Sequence, residues 1–259
     1  MNMTKRARIH LLAIAAAACF GLGAHANAND PTLSVYYNFD EEGDTIIDQS
    51  SYGNDGTITK GGSKRENSDI AGKALLFEQT RVDMNGPEFQ NGPVDGITLA
   101  VWVNHNGVGV QTLLDANTTD HGSGLYHAEI RAGGFRWFHR DAGGTTVFNI
   151  NPGPVLPAGE WVHFAGTYDS DSGEAKTFVN GEETHAANGA GTLSDNWDVN
   201  AGIGDHKNDR WLTGLLDEYY IFSRALDENE INSVMNGSFL SVNPQGKTAV
   251  SWAGLKAQR

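Results

Sequence analysis

The stretch ITLAVWV at residues 97–103 is the clearest indication of the fold class. In an extended strand the residues at alternate positions from Ile97 to Val103 share one face, and Trp102 lies on the other. A run that is apolar on both faces is typical of a central strand covered on both sides. The stretch therefore predicts a strand in the interior of a sheet.

Short apolar or alternating runs recur along the rest of the chain, and turn residues close each of them. The further expected strands are residues 124–130, 135–140, 161–168, 175–179 and 215–222. The first two are separated by Ala-Gly-Gly and predict a hairpin, and Asn180-Gly181 is the strongest short hairpin signal. Many short strands with glycine-rich turns are typical of an all-β sandwich or barrel.

One internal segment has a helical pattern. The Asp227 carboxylate can cap the first turn, and Glu230 stands three residues later, as in a capping box. A short apolar stripe follows at Ile231, Val234 and Met235. We therefore expect one short helix near the C-terminus.

Residues 1–28 have the three parts of a cleavable export signal. Three basic residues lie between positions 5 and 8, an apolar run covers 11–22, and small residues stand at 24, 26 and 28. We therefore expect a secreted protein, located in the periplasm, at the cell surface or outside the cell. Lipid anchoring at Cys19 is the less favoured alternative, because Ala16 stands where a lipoprotein signal carries a leucine-like residue.

The remaining chain predicts one domain over residues 31–237 and a tail over 238–259, which either adds to the sandwich or docks elsewhere. The whole chain carries 18 basic and 32 acidic residues, for a net charge of -14. Such acidity repels nucleic-acid phosphates and anionic lipid, so neither is expected as a partner. No segment after the signal is long and apolar enough to predict a membrane span.

Six stretches, in order, resemble the landmarks of laminin G-like jelly-roll domains in the concanavalin A-like lectin/glucanase superfamily. They are YYNFDEEGDTIIDQSSYGNDGTI (36–58), GKALLF (72–77), ITLAVWV (97–103), EWVHFAGTYD (160–169), TFVNGEE (177–183) and GLLDEYYIFSRALDENEI (214–231). The resemblance implies a two-sheet antiparallel jelly-roll sandwich. It also implies that the protein binds carbohydrate or another protein, and that a calcium ion is common.

The resemblance places calcium at Asp40, Asp217 and the turn that contains Asn54 and Gly56. The residues agree in part, because Asp217 lies in an apolar strand where a charge needs a cation or several hydrogen-bond donors. The alternative is that Asp40 and Asp217 accept hydrogen bonds from loop amides without a metal. Zinc is disfavoured, because the mature chain has no cysteine and its histidines show no ligand spacing.

Sugar binding requires exposed aromatic faces beside hydrogen-bonding side chains. The candidates are Trp137 with His139, Trp197, and His206 with Trp211 around the polar loop 204–210. Packing in the core is the favoured role of these tryptophans, since aromatic residues form much of any sandwich core.

Catalysis by a glycoside hydrolase needs two carboxyl groups on one side of a strand or pocket. The pairs Asp40-Glu41 and Asp217-Glu218 are adjacent in sequence, so their side chains point to opposite faces. The sequence therefore favours a secreted, non-catalytic module that binds a glycan. A protein-interaction or adhesion module is the second hypothesis, and a hydrolase or lyase whose residues meet only in space is the third.

Overall fold

The computed structural model describes residues 30–84, 88–117, 125–194 and 201–239. In these residues the chain forms two antiparallel sheets of eight strands each and one helix. The expected all-β jelly-roll sandwich is confirmed. The export signal at 1–28 and the tail beyond residue 239 lie outside the described residues.

Sheet A contains the interior strand that the sequence indicates. Its strands in spatial order are β14 (Glu182–Asn188), β13 (Glu174–Val179), β12 (Val162–Asp169), β7 (Gly96–His105), β16 (Thr213–Phe222), β5 (Lys73–Glu78) and β4 (Arg65–Asn67), and β1 (Leu33–Tyr37) also pairs with β16. The strand β7 lies between β12 and β16, as expected. Its alternate residues from Ile97 to Val103 face the core between the sheets.

Sheet B lies on the other side of this core. Its strands in spatial order are β11 (Thr146–Ile150), β10 (Arg136–Arg140), β9 (Leu125–Ile130), β8 (Gln111–Asn117), β15 (Gly202–Ile203), β6 (Arg81–Asp83), β3 (Gly56–Lys60) and β2 (Thr45–Ile46). The predicted hairpin of β9 and β10 is confirmed. So is the hairpin of β13 and β14, where Asn180 and Gly181 have φ values of 51° and 84°. These left-handed conformations are what a two-residue type I′ turn requires.

The helix α1 (Glu228–Met235) covers the outer face of sheet A. The Asp227 side chain accepts a hydrogen bond of 2.9 Å from the Glu230 amide, and the full capping box is present. Ile231 and Val234 are buried in a cluster with residues of the sheet. Phe239 packs against this cluster as well.

Candidate functional site

The outer face of sheet B carries charged side chains, in contrast to the apolar outer face of sheet A under α1. On β9, Tyr126 and Ala128 face the core, so His127 and Glu129 lie on the outer face. His127 pairs with Asp115 on the neighbouring strand β8. Strand alternation therefore gathers polar side chains from separate strands on one surface.

The strand β10 corrects one part of the predicted ligand site. Trp137 and His139 are both 0% exposed, so their candidate role as ligand-binding residues is wrong, whereas the favoured packing of Trp137 in the core is confirmed. The Trp137 indole donates a hydrogen bond of 3.0 Å to the Thr167 carbonyl inside the core. The physical reason is the two-residue period of the strand. Arg136, Phe138 and Arg140 face outward, so Trp137 and His139 face the core.

The other predicted ligand residues have different outcomes. Trp197 lies outside the described residues. His206 and Trp211 lie in the segment between β15 and β16, and both are partly exposed. His206 Nδ1 is 3.0 Å from Asp115 Oδ1, and Lys60 Nζ is 5.8 Å from the centre of the Trp211 ring. The structure therefore brings His206 and Trp211 to the outer face of sheet B.

Asp115 is the centre of a buried hydrogen-bond network on this face. His127 Nδ1 and His206 Nδ1 each lie 3.0 Å from Asp115 Oδ1. Burial alone would raise the pKa of Asp115, but its hydrogen bonds with the two histidines hold that pKa below its usual value. Burial alone would lower the pKa of His127, but Asp115 and Glu129 raise it. The network therefore favours an ionised Asp115 and a protonated His127.

Glu129 anchors two arginines at the surface above it. Its carboxylate is 0% exposed and accepts a hydrogen bond of 2.9 Å from Arg131 Nε, and it also pairs with Arg210 and His127. Burial alone would raise the pKa of Glu129, but these partners lower it well below its usual value. An ionised carboxylate held from several sides fixes the guanidinium groups of Arg131 and Arg210 in place.

Two more arginines stand over Phe138 on the same face. The Cζ atoms of Arg136 and Arg140 lie 4.2 and 5.2 Å from the centre of the Phe138 ring. Burial lowers the pKa of Arg136, and the neighbouring guanidinium group of Arg131 lowers it further. We call the four residues Arg131, Arg136, Arg140 and Arg210 the basic face. It is a local reversal of charge on a chain with a net charge of -14.

Among the described residues, one group of three side chains could hold a metal ion, and it consists of Asp115, His127 and His206. Their ligand atoms all lie within 4.8 Å of one another. Two imidazoles and a carboxylate suit a transition metal better than calcium. However, Arg210 Nη1 lies 3.4 Å from His127 Nε2, and such a cation opposes the binding of a second one.

The residues predicted to bind calcium fall into two pairs, and the first pair is Asp40 and Asp217. Asp40 contacts the first residue of β5, since its Oδ1 accepts a hydrogen bond of 2.7 Å from the Lys73 amide. Asp217 contacts the segment just before β5, where it accepts hydrogen bonds from Ser68 and the Ala71 amide. Burial raises the pKa of Asp217 to about 7. Hydrogen-bond donors therefore surround Asp217, as the metal-free alternative expects.

The second pair, Asn54 and Gly56, makes its contacts elsewhere. The Asn54 amide group donates to the Ser34 and Gln90 carbonyls at 2.8 and 2.9 Å, and its oxygen accepts from the Gln90 amide at 2.7 Å. Gly56 pairs with Ile46 in sheet B. None of these contacts involves Asp40 or Asp217, and calcium binding stays a prediction.

A cavity of about 230 Å³ lies on the opposite side of the molecule, beside the C-terminal end of α1. Trp102 and Glu218 line it together with apolar residues of the helix. The Glu218 carboxylate already accepts hydrogen bonds from the hydroxyls of Tyr36 and Tyr220, at 2.9 and 2.6 Å. The Glu218 carboxylate is therefore already held by hydrogen bonds within the fold.

Solved structures with the same fold are distant in sequence. Domain 4 of AbnA, a GH43 extracellular arabinanase from Geobacillus stearothermophilus solved in complex with arabinotriose, is 18% identical, with a TM-score of 0.60 over 79% of this chain and 98% of that one. The binding domain of Paraclostridial Mosquitocidal Protein 1 is 16% identical, with a TM-score of 0.60 over 80% of this chain and 52% of that one. The botulinum neurotoxin serotype D ligand binding domain, in complex with N-acetylneuraminic acid, is 16% identical, with a TM-score of 0.56 over 80% of this chain and 51% of that one.

The chain thus spans about half the length of the two toxin domains. At these identities the similarity shows the fold alone. No curated protein sequence matches the chain significantly. Residues 79–232, more than half of the chain, match the Laminin_G_3 family model, described as the concanavalin A-like lectin/glucanases superfamily. The protein therefore belongs to this laminin G-like family.

Proposed function

We propose that this protein is an exported, non-catalytic module that binds carbohydrate on the outer face of sheet B. The observation that carries the proposal is the layer of polar side chains held in place around Asp115 and Glu129. Sugar hydroxyls need donors and acceptors with fixed directions, and groups that are already ordered lose little entropy when a ligand binds. Trp211, which is partly exposed beside this layer, offers an apolar surface for a sugar ring.

The known ligands of the structural relatives support the same class of ligand. The arabinanase domain was solved with arabinotriose, and the serotype D toxin domain with N-acetylneuraminic acid. Both ligands are carbohydrates, and this chain spans nearly all of the arabinanase domain and about half of the toxin domain. The described residues contain no helix long and apolar enough to cross a membrane, and export rests on the predicted signal at residues 1–28.

The electrostatics of the face favour binding over hydrolysis. Asp115 and Glu129 lie on the same outer face, an arrangement that only the folded chain creates. A glycoside hydrolase needs one of its two carboxyl groups protonated, and therefore a raised pKa. The pKa values of both Asp115 and Glu129 are lowered, so neither is suited to act as the general acid.

Calcium at Asp40 and Asp217 remains part of the proposal as a support for the fold. The raised pKa of Asp217 is what a buried carboxylate shows without a cation, and a bound calcium ion would favour its ionised form. Calcium would thus stabilise the segment before β5, on the side of the molecule that carries sheet A.

A glycan array tests the proposed function. The mature chain is measured with and without a calcium chelator, and it is compared with two variants, Trp211→Ala and Tyr52→Ala. Tyr52→Ala is the control, because Tyr52 is a partly exposed aromatic residue beside sheet A whose hydroxyl donates a hydrogen bond to the Pro31 carbonyl. We expect glycan binding that Trp211→Ala weakens by about tenfold, equivalent to about 1.4 kcal/mol, and that Tyr52→Ala retains. A folded protein that binds no glycan would contradict the proposal and favour a protein partner instead.

A further inference from the structure

We propose that the carbohydrate bound on this face is anionic, and that its carboxylate or sulfate groups pair with Arg136 and Arg140. This inference rests on the proposed function and specifies its ligand. On the basic face, the guanidinium groups outnumber the carboxylates that pair with them.

The four arginines of the basic face divide into two that have acidic partners and two that do not. Arg131 and Arg210 both pair with Glu129. Among the described residues, Arg136 and Arg140 form no ion pair, and the Nε atom of each is buried without a hydrogen-bond partner. A positive charge without a counterion is the feature that an anionic ligand completes.

Phe138 holds these two guanidinium groups in place. Arg136 and Arg140 stand at alternate positions on either side of it along β10, and their Cζ atoms lie 4.2 and 5.2 Å from its ring centre. The two cations are therefore within roughly 10 Å of each other and attracted by the same ring. A planar guanidinium positioned in this way can donate two parallel hydrogen bonds to one carboxylate or sulfate group.

The acidic residues of the face do not oppose such a ligand. Asp115 and Glu129 are 1% and 0% exposed, and their carboxylates are paired with the surrounding histidines and arginines. These two carboxylates therefore lie beneath the guanidinium groups, and His206 and Trp211 lie partly exposed on the same face. The acidic remainder of the chain repels polyanions in general, which restricts favourable contact to this face.

Matched polysaccharides distinguish the proposed anionic groups. Affinity is measured for polygalacturonate against its carboxyl-reduced form, and for dextran sulfate against dextran. We expect binding to at least one anionic polymer and at least tenfold weaker binding to its neutral counterpart. The uronate pair identifies a carboxylate ligand, and the dextran pair identifies a sulfate ligand. Binding should weaken as salt is added, since exposed charges are screened.

Variants locate the binding. Arg136→Gln/Arg140→Gln should lose at least tenfold in affinity. Lys64→Gln/Lys176→Gln removes one exposed cation beside sheet A and one partly exposed cation within it, and should bind as the parent does. If the double variant fails to fold, the affinity of Arg140→Gln alone is measured instead. A thermal melt of each protein checks that it is folded. Equal binding of neutral and anionic polymers, unaffected by the arginine variants, would overturn the anionic ligand while the proposed function stands. A folded parent that binds no glycan of any kind would overturn both.

Discussion

His139→Phe tests the position of His139 inside the core through the acid stability of the protein. His139 is 0% exposed, and neither ring nitrogen has a hydrogen-bond partner among the described residues. Its ring centre lies 4.3 Å from that of Trp137, 4.8 Å from that of Tyr126 and 5.0 Å from that of Phe148. Phenylalanine fits such an aromatic environment and removes the group that can bind a proton.

The expected magnitude follows from proton linkage. Burial holds the pKa of His139 well below its usual value, whereas the unfolded chain has a pKa of about 6.5. The unfolded state therefore binds more protons below pH 6.5, and stability falls as the pH falls towards the folded pKa. The loss approaches about 1.4 kcal/mol per pH unit once the unfolded histidine is protonated, and it integrates to about 2.3 kcal/mol between pH 6.5 and 4.5. Burial lowers the pKa of His163 to about 3, so His163 adds a similar loss in both proteins.

Urea unfolding followed by tryptophan fluorescence at pH 7.5, 6.5, 5.5 and 4.5 measures the effect. The stability difference between His139→Phe and the parent should grow by about 2.3 kcal/mol in favour of the variant from pH 6.5 to 4.5. His185→Gln, which removes an exposed histidine on β14, is the control and should show no such growth. A constant difference across this range would refute the reasoning, because His139 would then titrate alike in both states.

Three further substitutions test other parts of the structure. Gly166→Ala would place a Cβ atom 2.8 Å from the Trp137 ring and should cost about 1–3 kcal/mol in urea unfolding, whereas Gly62→Ala, with nothing within 4 Å, should be nearly neutral. Asp227→Ala removes the capping side chain of α1 and should cost about 1 kcal/mol by the same assay; no loss would show that the cap adds nothing to stability. Calcium should raise the melting temperature of the parent but not that of Asp217→Asn. At a calcium concentration about 100 times the Kd, the expected gain in the free energy of unfolding is about 2.7 kcal/mol. An unchanged melting temperature of the parent would contradict the calcium proposal.

The fold could be predicted because local signals agreed with the tertiary structure. The alternation in residues 97–103 places β7 correctly, since a strand buried on both faces leaves an uninterrupted apolar run. Asn180-Gly181 and the Asp227–Glu230 capping box mark a turn and a helix start whose conformations depend mainly on neighbouring residues.

The ligand residues on β10 were predicted wrongly, although the strand carries a signal for the correct answer. The prediction weighed residue type, since Trp137 and His139 are common in sugar sites. The alternating arginines at 136 and 140 mark the outer face, because a buried guanidinium without a partner is costly. The same alternation would have turned Trp137 inward.

The Asp115 network could not be predicted from sequence patterns, because its members come from separate segments. Asp115 and His127 meet through the antiparallel register of β8 and β9, and His206 arrives from a segment 91 residues after Asp115. No local spacing encodes such a meeting. Trp211 and His206 were predicted from the polarity of their loop, which is a surface property that local sequence does reflect.

An NMR titration of the mature protein with a galacturonate oligosaccharide tests the binding face most directly. Amide and arginine side-chain signals of β9 and β10, together with those of residues 204–211, should shift on binding, while those of α1 and β13 should stay unchanged. Shifts confined to sheet A and the helix would contradict the account, because they would place the ligand on the opposite face of the sandwich.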